Sequence, residues 1–274
     1  MMLNGSFILL IILCILVFYV VYVKTYKEGF QSTTGLEIVV ANYEEKLDWL
    51  YKIDDSFYDK MIIYNKGSAK KYSEFKKKKG VVIQKLSNVG REGHTYLYHI
   101  VNNYDKLADV TMFLPGSTNT FYQKQAQFEI LIDDLKKNMD SRIIGFDDPT
   151  YIKDEMDTFE IDAYRSTSEE NNNANPETRL VPADIRPFGR WIKARFPNEK
   201  LTCIGYRGLA VASREDIQKR PKSFYQSLMV ELNYNNPEVG HFVERAWPLI
   251  LSIPDEKCQD GDFSRVPKDK SYLY

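Results

Sequence analysis

Short, continuously apolar runs separated by helix-like segments constrain this chain more than any other feature. Leu36 to Ala41 (LEIVVA) is a β-branched run of strand length, and Lys60 to Tyr64 (KMIIY), Val81 to Ile83 and Asp109 to Leu114 (DVTMFL) repeat the pattern. Runs apolar on successive residues suit strands covered on both faces, which is the situation in a parallel sheet. Between them, Glu44 to Tyr51 and Glu92 to Tyr104 read as helices. From Thr120 to Met139, Phe128, Leu131, Ile132, Leu135 and Met139 keep helical spacing. The alternation predicts an α/β fold: a Rossmann-like, mostly parallel sheet with flanking helices. Further on, Arg142 to Phe146 reads as a strand or sheet edge and Ile185 to Phe196 as an amphipathic helix. Cys203 to Ala212 reads as a strand pair or bent strand carrying Arg207 toward a turn.

A different kind of run precedes this alternation. Ser6 to Val23 (SFILLIILCILVFYVVYV) carries no charge and matches the length of helix a bilayer core requires. A cleaved signal peptide would show a basic start and a small-residue cleavage site, and neither is present. The expected organisation is a membrane anchor over residues 1–30, held in the membrane by 6–23, and one soluble domain over 31–274. The flanking charges, Lys24, Lys27 and Glu28, all follow the anchor, so the positive-inside tendency leans the domain toward the cytoplasmic face. A net charge of −1 excludes a dedicated nucleic-acid binder, which carries a basic stripe. With Cys14 in the apolar run, Cys203 and Cys258 allow one disulfide and no framework. No CxxC, HExxH or Cys/His zinc spacing occurs, so no structural metal site is expected.

Chemistry concentrates in two segments. Asn235 to Trp247 (NNPEVGHFVERAW) reads as a helix start, with Asn236 as cap and Pro237 in the first turn. At 3.6 residues per turn, Glu238, His241, and Glu244 or Arg245 recur on roughly one face. They form either an active-site wall or a buried ion network around a satisfied histidine, and the residues alone weigh these evenly. Asn88 to His99 (NVGREGHTYLYH) follows a strand and opens a helix. There Gly90 permits close approach of backbone, and Arg91 suits a phosphate at a helix N-terminus. His94 with Tyr98, and Tyr96 with His99, share helix faces and read as aromatic packing at least as readily as a site. The apolar-free stretch Ser166 to Glu177 (STSEENNNANPE) reads as a surface excursion, with a lid over substrate as the sharper alternative. Lys76 to Lys79 reads as a solvated loop, or as a contact for anionic lipid headgroups near the anchor.

The order of LEIVVANYEEKLDWL, NVGREGHTYLYHIVNNYDKLADVTMFLPGS and FYQSLMVELNYNNPEVGHFVERAWPLI resembles an uncharacterised domain family known from fungi and large DNA viruses. It is distantly similar to nucleotide-sugar-dependent glycosyltransferases of the GT-A fold. That resemblance implies a membrane-anchored glycosyltransferase-like protein. In it Asn88 and Arg91 lie near the nucleotide or diphosphate, and Glu238, His241 and Glu244 line the donor–acceptor junction. One carboxylate acts as base toward an acceptor hydroxyl, and Arg207 or Arg245 offsets charge on the leaving diphosphate. It also implies a divalent metal on an Asp-x-Asp motif after the fourth strand, where this chain has Phe113-Leu-Pro-Gly-Ser117. Asp147 and Asp148 are the substitutes nearest in sequence, although Pro149 beside them suits an ordinary turn equally well. The alternative is a non-enzymatic membrane-associated structural protein on the same scaffold, for example a virion component linking membrane to capsid.

Overall fold

The computed structural model describes residues 35–68, 72 and 75–260. The expected anchor at 6–23 lies outside them, and among the described residues no helix is long and apolar enough to cross a membrane.

All four predicted apolar runs are strands: β1 (Leu36–Asn42), β2 (Lys60–Asn65), β3 (Val81–Lys85) and β4 (Val110–Pro115). They form a parallel array in the order β3-β2-β1-β4, and β7 (Ala210–Ser213) adds an antiparallel edge against β4. The register sets Val39 beside Ile62 on one side and Phe113 on the other. Successive side chains of a strand point to opposite faces, and here both faces are covered. Val39, Ala41, Ile62, Tyr64 and Phe113 pack with α1 (Arg91–Asn103) and α8 (Val239–Ile250), chiefly through Tyr96, Leu97, Phe242 and Trp247. Ile38, Val40, Met61, Ile63, Met112 and Leu114 pack with Trp49, Leu50 and the Leu131–Leu135 face of α2 (Tyr122–Leu135). Double coverage is why β1 and β4 read as unbroken apolar runs.

A second, three-stranded sheet has the order β6-β5-β8, from β6 (Ile204–Gly205), β5 (Ile143–Phe146) and β8 (Cys258–Asp260). It is tied to the large sheet by paired backbone bonds between Arg142 and Val211, each 3.0 Å. The remaining helices are α3 (Pro149–Thr158), α4 (Glu169–Ala174), α5 (Phe188–Arg195), α6 (Arg214–Gln218) and α7 (Lys222–Glu231).

Three local expectations are corrected. Glu44 to Tyr51 contains only a 3-10 turn, Asp48–Lys52. The segment is held by other contacts: Tyr43 N–H donates to Glu45 Oε2 at 2.8 Å, Glu44 N–H to Asn171 Oδ1 at 3.1 Å, and the turn closes with Leu50 N–H on Leu47 O at 2.9 Å. Asn236 is not the cap of α8. It sits in the left-handed region at φ 52°, because residues 236–238 pair with Val181: Val181 N–H donates to Asn236 O, and Glu238 N–H to Val181 O. Asp148-Pro149 starts α3 instead of forming an ordinary turn, with Asp148 Oδ1 accepting from Tyr151 N–H at 2.7 Å.

Cys203 and Cys258 are joined by a disulfide across 55 residues, fastening the strand β8 to the buried end of β6. Closing a loop of that length restrains the unfolded chain. Cys258→Ser is predicted to lower unfolding stability by about 2–4 kcal/mol in urea denaturation; an unchanged midpoint would show that the disulfide contributes nothing to stability.

Candidate functional site

Strand order reverses between β1 and β4, since the chain proceeds from β1 to β2 on one side and reaches β4 on the other. At such a switch point the loops leaving the two carboxyl ends diverge, opening a crevice there. The cavity of this protein occupies that position. Its floor is Ala41 and Asn42 at the end of β1 with Glu45 beyond it, Lys66 after β2, and Pro115 at the end of β4 with Ser117 beyond it; residues 88–92 close one side where α1 begins. Gly116 allows the tight turn after β4, for a Cβ there would lie 2.5 Å from Asn42 Oδ1 and 2.8 Å from Glu45 Oε2.

The start of α1 is held by an unforeseen side chain. Lys66 Nζ donates to Val89 O at 2.6 Å and Arg91 O at 2.5 Å. Gly90 and Arg91 both adopt positive φ, 59° and 53°. At Gly90 a Cβ would fall 2.3 Å from Leu232 O, so only glycine fits. No side chain caps α1, and Gly90, Arg91 and Glu92 at its start line the cavity.

Of the sequence-predicted site residues, the fold brings together Asn88, Arg91, Arg207 and Glu244 on the cavity wall, with His241 directly behind. Arg91 is fixed on several sides. Its guanidinium lies 4.2 Å from the Tyr164 ring centre, and Nη1 is 3.3 Å from His241 Nε2 and 3.5 Å from Asn236 Oδ1. His241 Nδ1 in turn faces Glu244 Oε2 at 3.7 Å, and the Tyr164 ring lies 4.6 Å from the imidazole. Burial pushes the His241 pKa down, so the ring is neutral near pH 7. Burial alone would raise the Glu244 carboxyl, but the His241 contact and the charges of Arg245 and Arg91 outweigh it and hold it at about 2. Arg207, at φ 67°, reaches the cavity with Nη1 3.5 Å from Gln127 Oε1.

Two predicted residues lie elsewhere, which corrects the single-face reading of α8. Glu238 is completely buried away from the cavity. It accepts from Ile161 N–H at 2.9 Å, Ala183 N–H at 2.8 Å and Arg186 Nε at 3.0 Å, latching the 160–186 segment to α8. Arg245 pairs with Glu155 at 2.6 Å, its guanidinium 3.4 Å from the Phe159 ring centre. The helical spacing holds from Val239 onward; Glu238 precedes the helix proper, and Arg245 turns to the side facing α3.

Ser166 to Glu177 is no mere surface excursion. Ser166, Thr167, Asn171, Asn172, Asn175 and Glu177 line the cavity. The segment is docked by Asn171, whose Nδ2 donates to Glu45 Oε1 at 2.7 Å. The aromatic pairs of α1 are packing: His94 stacks on Tyr98, while His99 meets the Tyr64 hydroxyl at 3.1 Å. Lys78, from the lysine run, is engaged by Asp55 at 2.5 Å and Ile53 O at 2.9 Å.

Lys66 and Lys124 are cavity residues that sequence reasoning misses. The signal for Lys66 is its place directly after a strand's carboxyl end; nothing local distinguishes Lys124. For the divalent metal the resemblance implies, the residues do not fit. Among the described residues no group of three His, Cys, Asp or Glu side chains is placed to hold an ion. Glu45 is engaged by Asn171 and Tyr43, and Asp148 caps α3.

The family described as "Protein of unknown function (DUF3431)" matches residues 38–265, well over half of the chain. No curated protein matches it.

Two outcomes follow from this geometry. Glu238→Gln is predicted to cost about 2–4 kcal/mol of stability, since it weakens a buried charge with several partners, and to leave ligand affinity unchanged; urea denaturation beside a binding titration separates the two. The Glu244 carboxyl sits below its ordinary 4.5, so its stabilisation is present above that pH and lost as the pH falls toward 2. Glu244→Gln is expected to flatten that acid limb in denaturation curves; an identical limb in the variant would remove Glu244 from the account.

Proposed function

We propose, for a chain that belongs to the DUF3431 family and inherits no assigned activity from it, a membrane-anchored glycosyltransferase of GT-A-like architecture. The donor is a nucleotide sugar and the transfer needs no bound metal. One observation carries this reading: an ionised carboxylate, Glu244, and a buttressed guanidinium, Arg91, face one cavity at the strand-order reversal of a parallel sheet. Opposite charges at fixed positions suit a reaction whose transition state separates charge. Departure of a sugar from a diphosphate leaves positive charge on the sugar ring and negative charge on the phosphate oxygen.

The site residues then take distinct roles. Arg91, with Asn88 beside it and Arg207 across the cavity, receives the diphosphate. Glu244 is too weak a base at a pKa of about 2 to take the acceptor proton efficiently. Its role in this reading is to stabilise the cationic sugar and accept hydrogen bonds from hydroxyls. Neutral His241 holds Arg91 and Glu244 in register, Nε2 toward one and Nδ1 toward the other. The asparagine-rich rim, Asn171, Asn172 and Asn175, offers the paired donors and acceptors that sugar hydroxyls require.

The disulfide supports a revision of topology. Disulfides persist in oxidising compartments. That favours the lumenal or outer face for this domain over the cytoplasmic lean of Lys24 and Lys27, which is a bias of two lysines.

The full-length chain, screened by thermal shift against a panel of sugar nucleotides with and without manganese, is expected to be stabilised by at least one donor without the metal. Arg91→Ala is expected to lower transfer by roughly 10²–10³-fold with folding intact. No shift with any donor would move the protein to a non-catalytic role, such as a scaffold joining membrane to a protein shell.

A further inference from the structure

Two ammonium groups in the cavity take no part in the roles above. Lys66 follows β2 and Lys124 lies in the first turn of α2, and each is only 6% exposed. An ammonium has three donors. Among the described residues, Lys124 Nζ uses one on Ser117 Oγ at 2.7 Å, and Lys66 Nζ uses two on the carbonyls of Val89 and Arg91. Neither forms an ion pair with a carboxylate among the described residues, although Glu45, Glu92 and Glu244 line the same cavity. Those carboxylates are engaged by Asn171, Arg91 and His241 respectively. Burying an ammonium is costly, and burial pushes the pKa of both lysines down, Lys66 to about 7, even though the charges of Glu45 and Glu92 act the other way on each.

An anionic ligand that accepts the donors these two ammonium groups leave unspent offsets this cost. With Arg91 and Arg207, the cavity presents four cationic side chains against four carboxylates, Glu45, Glu92, Glu177 and Glu244, of which Glu177 is exposed and accepts from the Arg179 amide. We propose that Lys66 and Lys124 form a metal-independent cradle for an anionic phosphoryl group. Its identity as a donor's diphosphate rests on the glycosyltransferase reading; the cradle itself does not.

Calorimetric titration of inorganic pyrophosphate into the full-length chain, with EDTA present, tests this. Binding is expected without metal, weakened by about tenfold or more in Lys124→Met, one charged contact being on the order of 1.4 kcal/mol. Titration near pH 8 in two buffers of different ionisation enthalpy is expected to show proton uptake, since a bound anion restores the charged form of Lys66 against the burial that disfavours it. Lys66→Met also removes the tie on residues 89–91, so Lys124→Met, with its fold checked by thermal denaturation, is the deciding variant. Pyrophosphate binding that appears only with magnesium, or that is undiminished in folded Lys124→Met, overturns the cradle. Pyrophosphate binding in EDTA that is lost in Lys124→Met, with no transfer from any sugar nucleotide, keeps the cradle and sinks the transferase reading. Transfer activity without pyrophosphate binding does the reverse.

Discussion

The structure depends on the reversal of strand order between β1 and β4. These two strands are buried on both faces and paired to each other over six registered residues, Leu36 to Ala41 against Val110 to Pro115. Because the chain leaves them in opposite directions, their carboxyl ends cannot be covered by one continuous connection. Loops and helix ends from distant parts of the sequence close the gap, and they carry most of the polar groups of the cavity. The same dry sheet that gives stability through burial at about 25 cal/mol per Å² also gives the cavity its low-dielectric floor. Lys66 and Lys124 feel that floor directly.

Rigidity in the site comes from side chains holding backbone. Lys66 holds the carbonyls of Val89 and Arg91, Glu238 holds the amides of Ile161 and Ala183, and Asn171 ties the polar segment to Glu45 and Glu44. Each tie joins segments far apart in sequence, so the Arg91–His241–Glu244 arrangement is fixed by contacts from four or more elements. Tyr164 completes it by covering both Arg91 and His241 with one ring. Such preorganisation is what an electrostatic site requires, because groups already oriented need no rearrangement when charge develops.

Legibility in the sequence follows the range of the interactions. The strands of the large parallel sheet and the α1 and α2 helices are readable, since hydrophobic periodicity reports burial residue by residue. The grouping of Asn88, Arg91, Arg207 and Glu244 near one cavity is partly readable, because strand ends and helix starts locate the crevice of a parallel sheet. Glu238 and Arg245 are misplaced by the same reasoning, because a helix face tells which residues lie together and not which neighbour they meet. The polar run 166–177 misleads for a related reason. A segment without apolar residues looks like solvent-exposed loop even when its amides face a polar cavity.

The sequence by itself determined the α/β class, the apolar run at 6–23, the availability of one cysteine pair, and the absence of a metal motif after the fourth strand. These are properties of local pattern and residue type, which the chain carries before it folds. Tertiary structure alone decided that Lys66 and Lys124 share a cavity, that His241 stands between Arg91 and Glu244, and that Glu238 is a latch. Those outcomes depend on which segments meet across the strand reversal, and contact between residues 52 to 150 positions apart leaves no trace in local spacing.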